Sequence, residues 1–418
     1  MNVLLKSATI VDPKSDFHNQ TLDILIERGA ISQIGKHIKK PKNHKEIILD
    51  NLHVSQGWFD SSVNFGEPGY EDRETIENGL KTAALSGFTS VAVNSNTNPV
   101  IDSYADISFL KNKTNGNAAR LYPIGALTKD SKGKDLAELF DMKNAGAIAF
   151  YDYQKPIGNP NLMKIALQYA SNFGGLVFSF PQESKISGLG VMNEHVTSTS
   201  LGLKGNPALA EELQIVRDLF LLEYTGGKLH IPTISTAKSV ELIRNAKKQK
   251  LNVSCSVAIH NLVLTDNELN TFNTNCKVLP PLRTQVDCDA LIEGLKDGTI
   301  DMVTSDHNPI DIEHKKVEFD YAINGTIGLE SAFGALNKIF TIKKTVDLLT
   351  KGKDRFGLGS STIMVGNQAD LSLFNPNGEY KFSKEDIKSS SKNAIFEGHS
   401  LKGKVYGIVA NNQMILNP

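Results

Sequence analysis

The chain has 418 residues, with 45 Lys and Arg against 46 Asp and Glu and a formal net charge of −1. Hydrophobic residues make up 40% and charged residues 22%. That is globular composition with length enough for a large core, and it excludes the bulk basic footprint of a nucleic-acid or anionic-membrane binder.

In chain order, the first ~50 residues read as β structure. NVLLKSATIV and LDILIERGAISQI are rich in β-branched residues and are punctuated by Asp12-Pro13-Lys14 and Arg28-Gly29. The start is too short in apolar residues for a signal peptide, and no run reaches the ~18 residues of a spanning helix. Lys39-Lys40-Pro41-Lys42 reads as a solvated turn.

From residue 54 onward, short apolar runs alternate with amphipathic stretches. The expected strands are 54–60, 89–94, 119–127, 147–152, 175–180, 228–233, 251–257 and 299–306. Helical patterns lie between most of them, such as NPNLMKIALQYASNFGG with its Asn159-Pro160 start, and NPALAEELQIVRDLFLLEYTGG with its Gly-Gly stop. Eight strands alternating with helices spell a (β/α)8 TIM-type barrel. A doubly wound open sheet competes, but no phosphate-cradling Gly-rich loop follows the first strand. SKEDIKSSSKN (383–393) reads as a polar surface loop. The ending, ADLSLFNP, EYKF and GKVYGIVANNQMIL, returns to β structure. The expected organisation is therefore 1–52 and 346–418 as the two parts of a small β-sandwich lobe, with the barrel at 53–345.

Cys255, Cys276 and Cys288 have no paired spacing. They read as reduced, buried thiols of a cytoplasmic protein and argue against a cysteine-rich zinc site.

A barrel carries its chemistry at the C-terminal ends of its strands. Those ends read Asp60-Ser61-Ser62-Val63-Asn64-Phe65-Gly66, then Asn94-Ser95-Asn96, Tyr151-Asp152-Tyr153, Ser179-Phe180, Pro232-Thr233, His260-Asn261 and Ser305-Asp306-His307-Asn308-Pro309. With EPGYEDRETIENGLKTAALSGFTSVAVNSNTNPVID, LHIPTISTAKSVELIRNAKK, KVLPPLR, DGTIDMVTSDHNP and NQADLSLFNP, the sequence resembles the dihydroorotases of the cyclic amidohydrolase superfamily over essentially its whole length. The resemblance implies opening of the dihydroorotate ring to N-carbamoyl-aspartate, and the reverse cyclisation in pyrimidine synthesis. It also implies zinc, which lowers the pKa of bound water to about 7 and polarises a carbonyl.

The family's ligand pattern is eroded here. Its His-x-His falls on Ser62 and Asn64, and its carboxylate-gripping Arg on Gly66. Its later histidines fall on Ser179 and Thr233. The strand-four carboxylate falls on Asp152, followed by Tyr153 where many relatives repeat the Asp. Asp306 remains as the last ligand position and a vestigial general base. Asn96 matches the substrate-binding Asn, whereas two other pocket positions are Leu279 and Ile310. Hydroxyls and amides do not replace imidazoles on zinc. No metal and no cofactor are expected, and Ser62, Asn64, Asp152, Ser179, Thr233 and Asp306 are vestigial ligand positions.

The remaining histidines offer little. His230 reads as a barrel-core residue, His195 lies in a long loop after strand five, and His260 and His307 lack close-spaced partners. Asp306-His307 reads as a structural hydrogen-bonded pair, Arg283 as a structural anchor, and Lys155 as lying past its strand end. The expected function is a dihydroorotase-like protein without catalysis. The resemblance extends this to a structural or regulatory partner of aspartate carbamoyltransferase, and implies that this chain forms a homodimer. The rival is an active cyclic amidohydrolase using Asp152, His260 and Asp306 with zinc, or no metal. A third reading is a ligand sensor retaining Asn96.

Overall fold

The computed structural model describes residues 1–417. Strands from both termini hydrogen-bond into one eight-stranded sheet. Asn2–Ile10, Thr21–Glu27, Ala30–Gly35, Lys45–Ile47 and His53–Gln56 come from the N-terminus, and Leu371–Lys381, Ser400–Ala410 and Gln413–Leu416 from the C-terminus. The join is antiparallel, with Val54 opposite Leu373. Alternate residues such as Leu5, Ile24, Val54, Leu371 and Val409 bury a common apolar face.

The second sheet has eight parallel strands in sequential order. They are Trp58–Val63, Phe88–Val93, Arg120–Gly125, Ala149–Phe150, Val177–Phe178, Leu229–Ile231, Val253–Ala258 and Met302–Thr304. Val63 pairs in parallel with His307, and the Asn64 N–H reaches the His307 carbonyl at 2.7 Å, which closes the barrel. The helices begin where the sequence puts their caps. Asn159 Oδ1 accepts from the N–H groups of Asn161 and Leu162 ahead of Pro160–Ser171, and Thr75 caps Ile76–Leu85.

One expected strand is two. The run 54–60 breaks at Gly57: His53–Gln56 belongs to the terminal sheet and Trp58–Val63 to the barrel. A Cβ at Gly57 would stand 2.1 Å from Thr89 Oγ1, so only glycine lets the chain cross between sheets there.

The barrel interior is aromatic. Phe59, Tyr151, Tyr153, Phe178 and Phe180 cluster with Ala92, Ile124 and Met302. Phe356 comes up from the strands' N-terminal end, 5.2 Å from the Phe59 ring and 5.9 Å from Phe178. His230 is fully buried against Phe178 between the Ser254 and Ser256 hydroxyls, so it is a core histidine. Among the described residues no helix is long and apolar enough to cross a membrane.

The 383–393 stretch is not a simple surface loop. Ser389, Ser391 and Asn393 are buried. Ser390 binds the Glu74 carboxylate, Ser389 that of Glu330, and Asn393 joins Asn308, Ile310 and Gly325. Its polarity serves hydrogen bonds to loops at the barrel mouth.

Candidate active site

The C-terminal strand ends converge on two buried carboxylates. Asp60 accepts from Thr304 Oγ1 at 2.5 Å, the Ser305 N–H at 2.9 Å and the Ser62 N–H at 3.1 Å, tying the first strand to the eighth. Asp306 Oδ1 accepts from the Ser62 hydroxyl and the Tyr153 hydroxyl, each at 3.3 Å. Burial, and then the charge of Asp60, push the Asp306 carboxyl up to about 7. Asn94 Nδ2 reaches Ser62 Oγ at 3.0 Å, and Asn64 Nδ2 reaches the His307 carbonyl at 3.4 Å. Asp306 and Thr233 both have positive φ (46° and 48°), a strained conformation for non-glycine residues. These strand ends keep the backbone geometry that aims side chains across a barrel mouth.

Two expected ligand positions face elsewhere. Asp152 turns away from the axis, accepting from the backbone N–H groups of Leu127 and Thr128 and from the Thr128 hydroxyl. Ser179 donates to Asp218 at 2.6 Å, on the helix Ala208–Thr225 outside the strand. The neighbours, Tyr153 and Phe180, face the interior instead. The cause is the two-residue alternation of an extended chain: Tyr151 and Phe178 point in, so Tyr153 and Phe180 do too. Both two-residue strands are buried on each face, so no polar-apolar contrast in the sequence marked that phase.

The other positions sort as follows. Ser62, Asn64, Thr233 and Asp306 lie buried at the strand ends. Asn96 is half-buried in the next turn, its Oδ1 without a partner among the described residues. Gly66 is sterically committed, since a Cβ there would sit 1.9 Å from the Tyr70 carbonyl oxygen. An arginine cannot occupy this loop as it is folded. Ile310 is buried and Leu279 packs beside the aromatic interior. Asp306 and His307 do not form the expected pair. His307 Nδ1 accepts from the Gly328 and Leu329 N–H groups, at 3.2 and 3.4 Å. Arg283 is the anchor expected of it, donating to Ser235, Asn193 and the Asn206 carbonyl. That network fixes the loop carrying His195, whose ring is half-exposed beside Asp266 rather than at the mouth. His260 is buried, and burial holds its imidazole down to about 3, hence neutral.

Zinc does not suit this donor set. Around the axis stand Ser62, Asn64, Tyr153, Phe180, Thr233 and Asp306, with one carboxylate and no imidazole. Among the described residues no three His, Cys, Asp or Glu side chains converge on a metal-sized volume. The combination of Asp152, His260 and Asp306 is not assembled, because Asp152 is spent on residues 127 and 128.

The family model described as "Dihydro-orotase-like" matches residues 53–239. The dihydroorotase of Ruminiclostridium cellulolyticum is 42% identical over 99% of this chain and 99% of its own length. That of Acetivibrio thermocellus is 41% identical, with the same coverage of both chains. Among solved structures, the L-hydantoinase (dihydropyrimidinase) of Arthrobacter aurescens superimposes with a TM-score of 0.82, covering 100% of this chain and 97% of that one at 20% identity. The dihydropyrimidinase of Brevibacillus agri gives 0.83 at 21% identity, covering 100% and 95%. At those identities the structural matches establish the shared barrel-and-lobe fold. The full-length identities establish more: the chain belongs to the dihydroorotase family.

Proposed function

We propose that this chain is a dihydroorotase-family barrel that has given up zinc hydrolysis and serves pyrimidine biosynthesis, in the cytoplasm, as a structural or regulatory partner of aspartate carbamoyltransferase. The carrying observation is the pair of inward-facing aromatics, Tyr153 and Phe180, standing among Ser62, Asn64 and Thr233 at the strand ends. Four neutral groups and a phenyl ring leave Asp306 as the single carboxylate facing the axis. A lone carboxylate neither binds zinc nor generates a hydroxide-like nucleophile. The closed loop at Gly66 removes the place where an arginine would grip a substrate carboxylate, and such charge-assisted bidentate contacts are the strong ones. The scaffold persists, including the costly positive φ at Asp306 and Thr233. A barrel kept for its shape and its surfaces fits that pattern. The same reading takes the chain as a homodimer.

Elemental analysis after zinc loading and desalting, with dihydroorotate turnover measured in parallel, tests the catalytic half. Sub-stoichiometric zinc and no turnover are expected. One or two retained zinc ions per chain with turnover would overturn it. Co-purification tests the partnership: aspartate carbamoyltransferase that assembles and works unaided would sink that role.

One observation favours a second reading, an active cyclic amidohydrolase. The full-length relatives are named dihydroorotase, and Asp306 keeps its place with a carboxyl near 7, the range in which general acids and bases work. On that reading Asp306 moves a proton to or from a bound ring, and Asp306→Asn abolishes a turnover the wild type shows.

A further inference from the structure

A cleft of about 480 Å³ opens between the barrel and the terminal sheet, and none of the strand-end residues lines it. That volume lies in the range of small-molecule sites. One wall is the helix Leu329–Ile339, and the other is the ribbon of Leu371–Lys381 and Ser400–Ala410. The ribbon is irregular here: Asn375 pairs with Lys404 and Glu379 with Lys402, so three residues stand opposite one. Phe333 of the helix and Val405 of the ribbon supply apolar wall. A Cβ at Gly334 would stand 3.4 Å from the Tyr380 hydroxyl, so glycine there leaves that hydroxyl uncovered.

The polar groups of the cleft are largely unspent. The Tyr380 hydroxyl has no hydrogen-bond partner among the described residues. Burial, and then the charge of Asp386, push it up to about 12, so it keeps its proton and can donate. Lys404 has only the Tyr406 ring, 5.8 Å from its Nζ, and Lys388 Nζ has only the Glu385 carbonyl, at 3.4 Å. Glu379 takes the Ser400 hydroxyl on Oε2, and Asp386 takes the Ser383 N–H and hydroxyl on Oδ2, which leaves the second oxygen of each. All four charges line one cleft, yet among the described residues none of them forms an ion pair. Unlike charges that share a wall without meeting are spaced for a molecule that carries both signs. A ligand of one sign would leave half of them unanswered.

We propose that this cleft binds a small zwitterion with an apolar body, of the α-amino-acid class. Lys404, Lys388 and the Tyr380 hydroxyl take its carboxylate, Glu379 and Asp386 take its ammonium, and its side chain lies against Phe333 and Val405. Charge-assisted hydrogen bonds hold the head group, and burial of apolar area holds the body. Such a ligand ties the terminal-sheet ribbon, through Lys404 and Glu379, to the 383–393 stretch, through Asp386 and Lys388. The cleft shares no residue with the barrel mouth, so it needs neither zinc nor catalysis.

The test uses the full chain and three probes of similar size. They are L-phenylalanine, 3-phenylpropionate, which lacks the ammonium, and 2-phenylethylamine, which lacks the carboxylate. Isothermal titration calorimetry at low ionic strength should give saturable binding of L-phenylalanine with a Kd of about 1 mM or tighter, and about fivefold or more weaker binding of the other two. Lys404 and Glu379 are exposed, so Lys404→Ala and Glu379→Ala should fold, and each should weaken L-phenylalanine by about fivefold or more. The absence of saturable binding overturns the proposal. So does a singly charged probe that binds as tightly as L-phenylalanine, or binding that both variants retain unchanged. Zinc content and dihydroorotate turnover do not enter these readings, so failure here leaves the function proposed above untouched, and failure there leaves the cleft untouched.

Discussion

Lys315 buries its ammonium among carbonyl dipoles instead of beside a carboxylate. Its Nζ donates to the Thr274 carbonyl at 2.8 Å and lies 3.4 Å from that of Lys277, while Lys277 Nζ donates to the carbonyls of Phe319 and Asp320. Burial, and then the neighbouring Lys277 charge, bring the Lys315 amine down to about 7. In the unfolded chain a lysine holds its proton up to about 10.4. Between those values the unfolded state binds the proton that the native state has released, so this residue makes stability rise with pH from about 7 to about 10. Lys315→Met should flatten that part of the profile and raise stability at pH 7. Urea midpoints of both proteins at pH 7 and pH 9 check it, and parallel profiles would refute it. Neither lysine stands out in the sequence, since 38 positions separate them and only the packing of the short helix Ile312–Lys315 against the segment around Lys277 puts them together. The identity of the residues at the expected ligand positions was legible for the opposite reason. Ser62, Asn64, Thr233 and Asp306 sit in continuous motifs whose neighbours fix their position.

Where the sequence misplaces site residues, the cause lies in the elements. The fourth and fifth barrel strands are only two residues long, Ala149–Phe150 and Val177–Phe178. Runs so short carry no polar-apolar alternation to set the phase, because both faces are buried. A one-residue slip therefore exchanges Asp152 for Tyr153 and Ser179 for Phe180. The existence and order of the elements were legible: apart from the break at Gly57, the barrel strands and the capped helices fall close to their expected places. The segment around 383–393 was not, since serines and lysines in a row look alike whether solvated or bonded to a distant carboxylate. Asn393 shows the difference. Its Nδ2 donates to the carbonyls of Asn308 and Gly325 at 3.0 and 3.2 Å, and its Oδ1 accepts from the Ile310 N–H at 3.2 Å. Asn393→Ala should cost about 2–4 kcal/mol, because three buried backbone groups lose their partner together. Urea unfolding with an unchanged m-value measures it, and a loss below about 0.5 kcal/mol would mean the segment is merely laid on the surface.

At the scale of the molecule, the barrel and the terminal sheet share one aromatic joint. Trp58 opens the first barrel strand, immediately after the Gly57 crossing. Its ring stacks on Phe333 of the helix Leu329–Ile339 at 5.0 Å and tilts against Phe374 of the terminal sheet at 5.4 Å. Its indole N–H donates to Ser55 and its backbone N–H to Ser372, both in terminal-sheet strands. The terminal sheet is itself assembled from N-terminal and C-terminal strands, so the barrel's sequence is bracketed by strands that pair with one another. A sheet built this way cannot detach while the barrel stays intact without exposing Trp58, Phe333 and Phe374 and leaving the Ser55 and Ser372 partners unpaired. The two parts should therefore unfold in one transition. Trp58 is the only tryptophan, so its fluorescence reports the joint alone, whereas far-ultraviolet circular dichroism reports the barrel helices. Coincident urea midpoints for the two probes are expected. Trp58→Phe keeps the ring contacts but removes the indole bond to Ser55, and should lower the dichroism midpoint without splitting the transition. A fluorescence change that precedes the loss of helix in the wild type would show instead that the terminal sheet is an independent unit, resting on the barrel rather than locked to it.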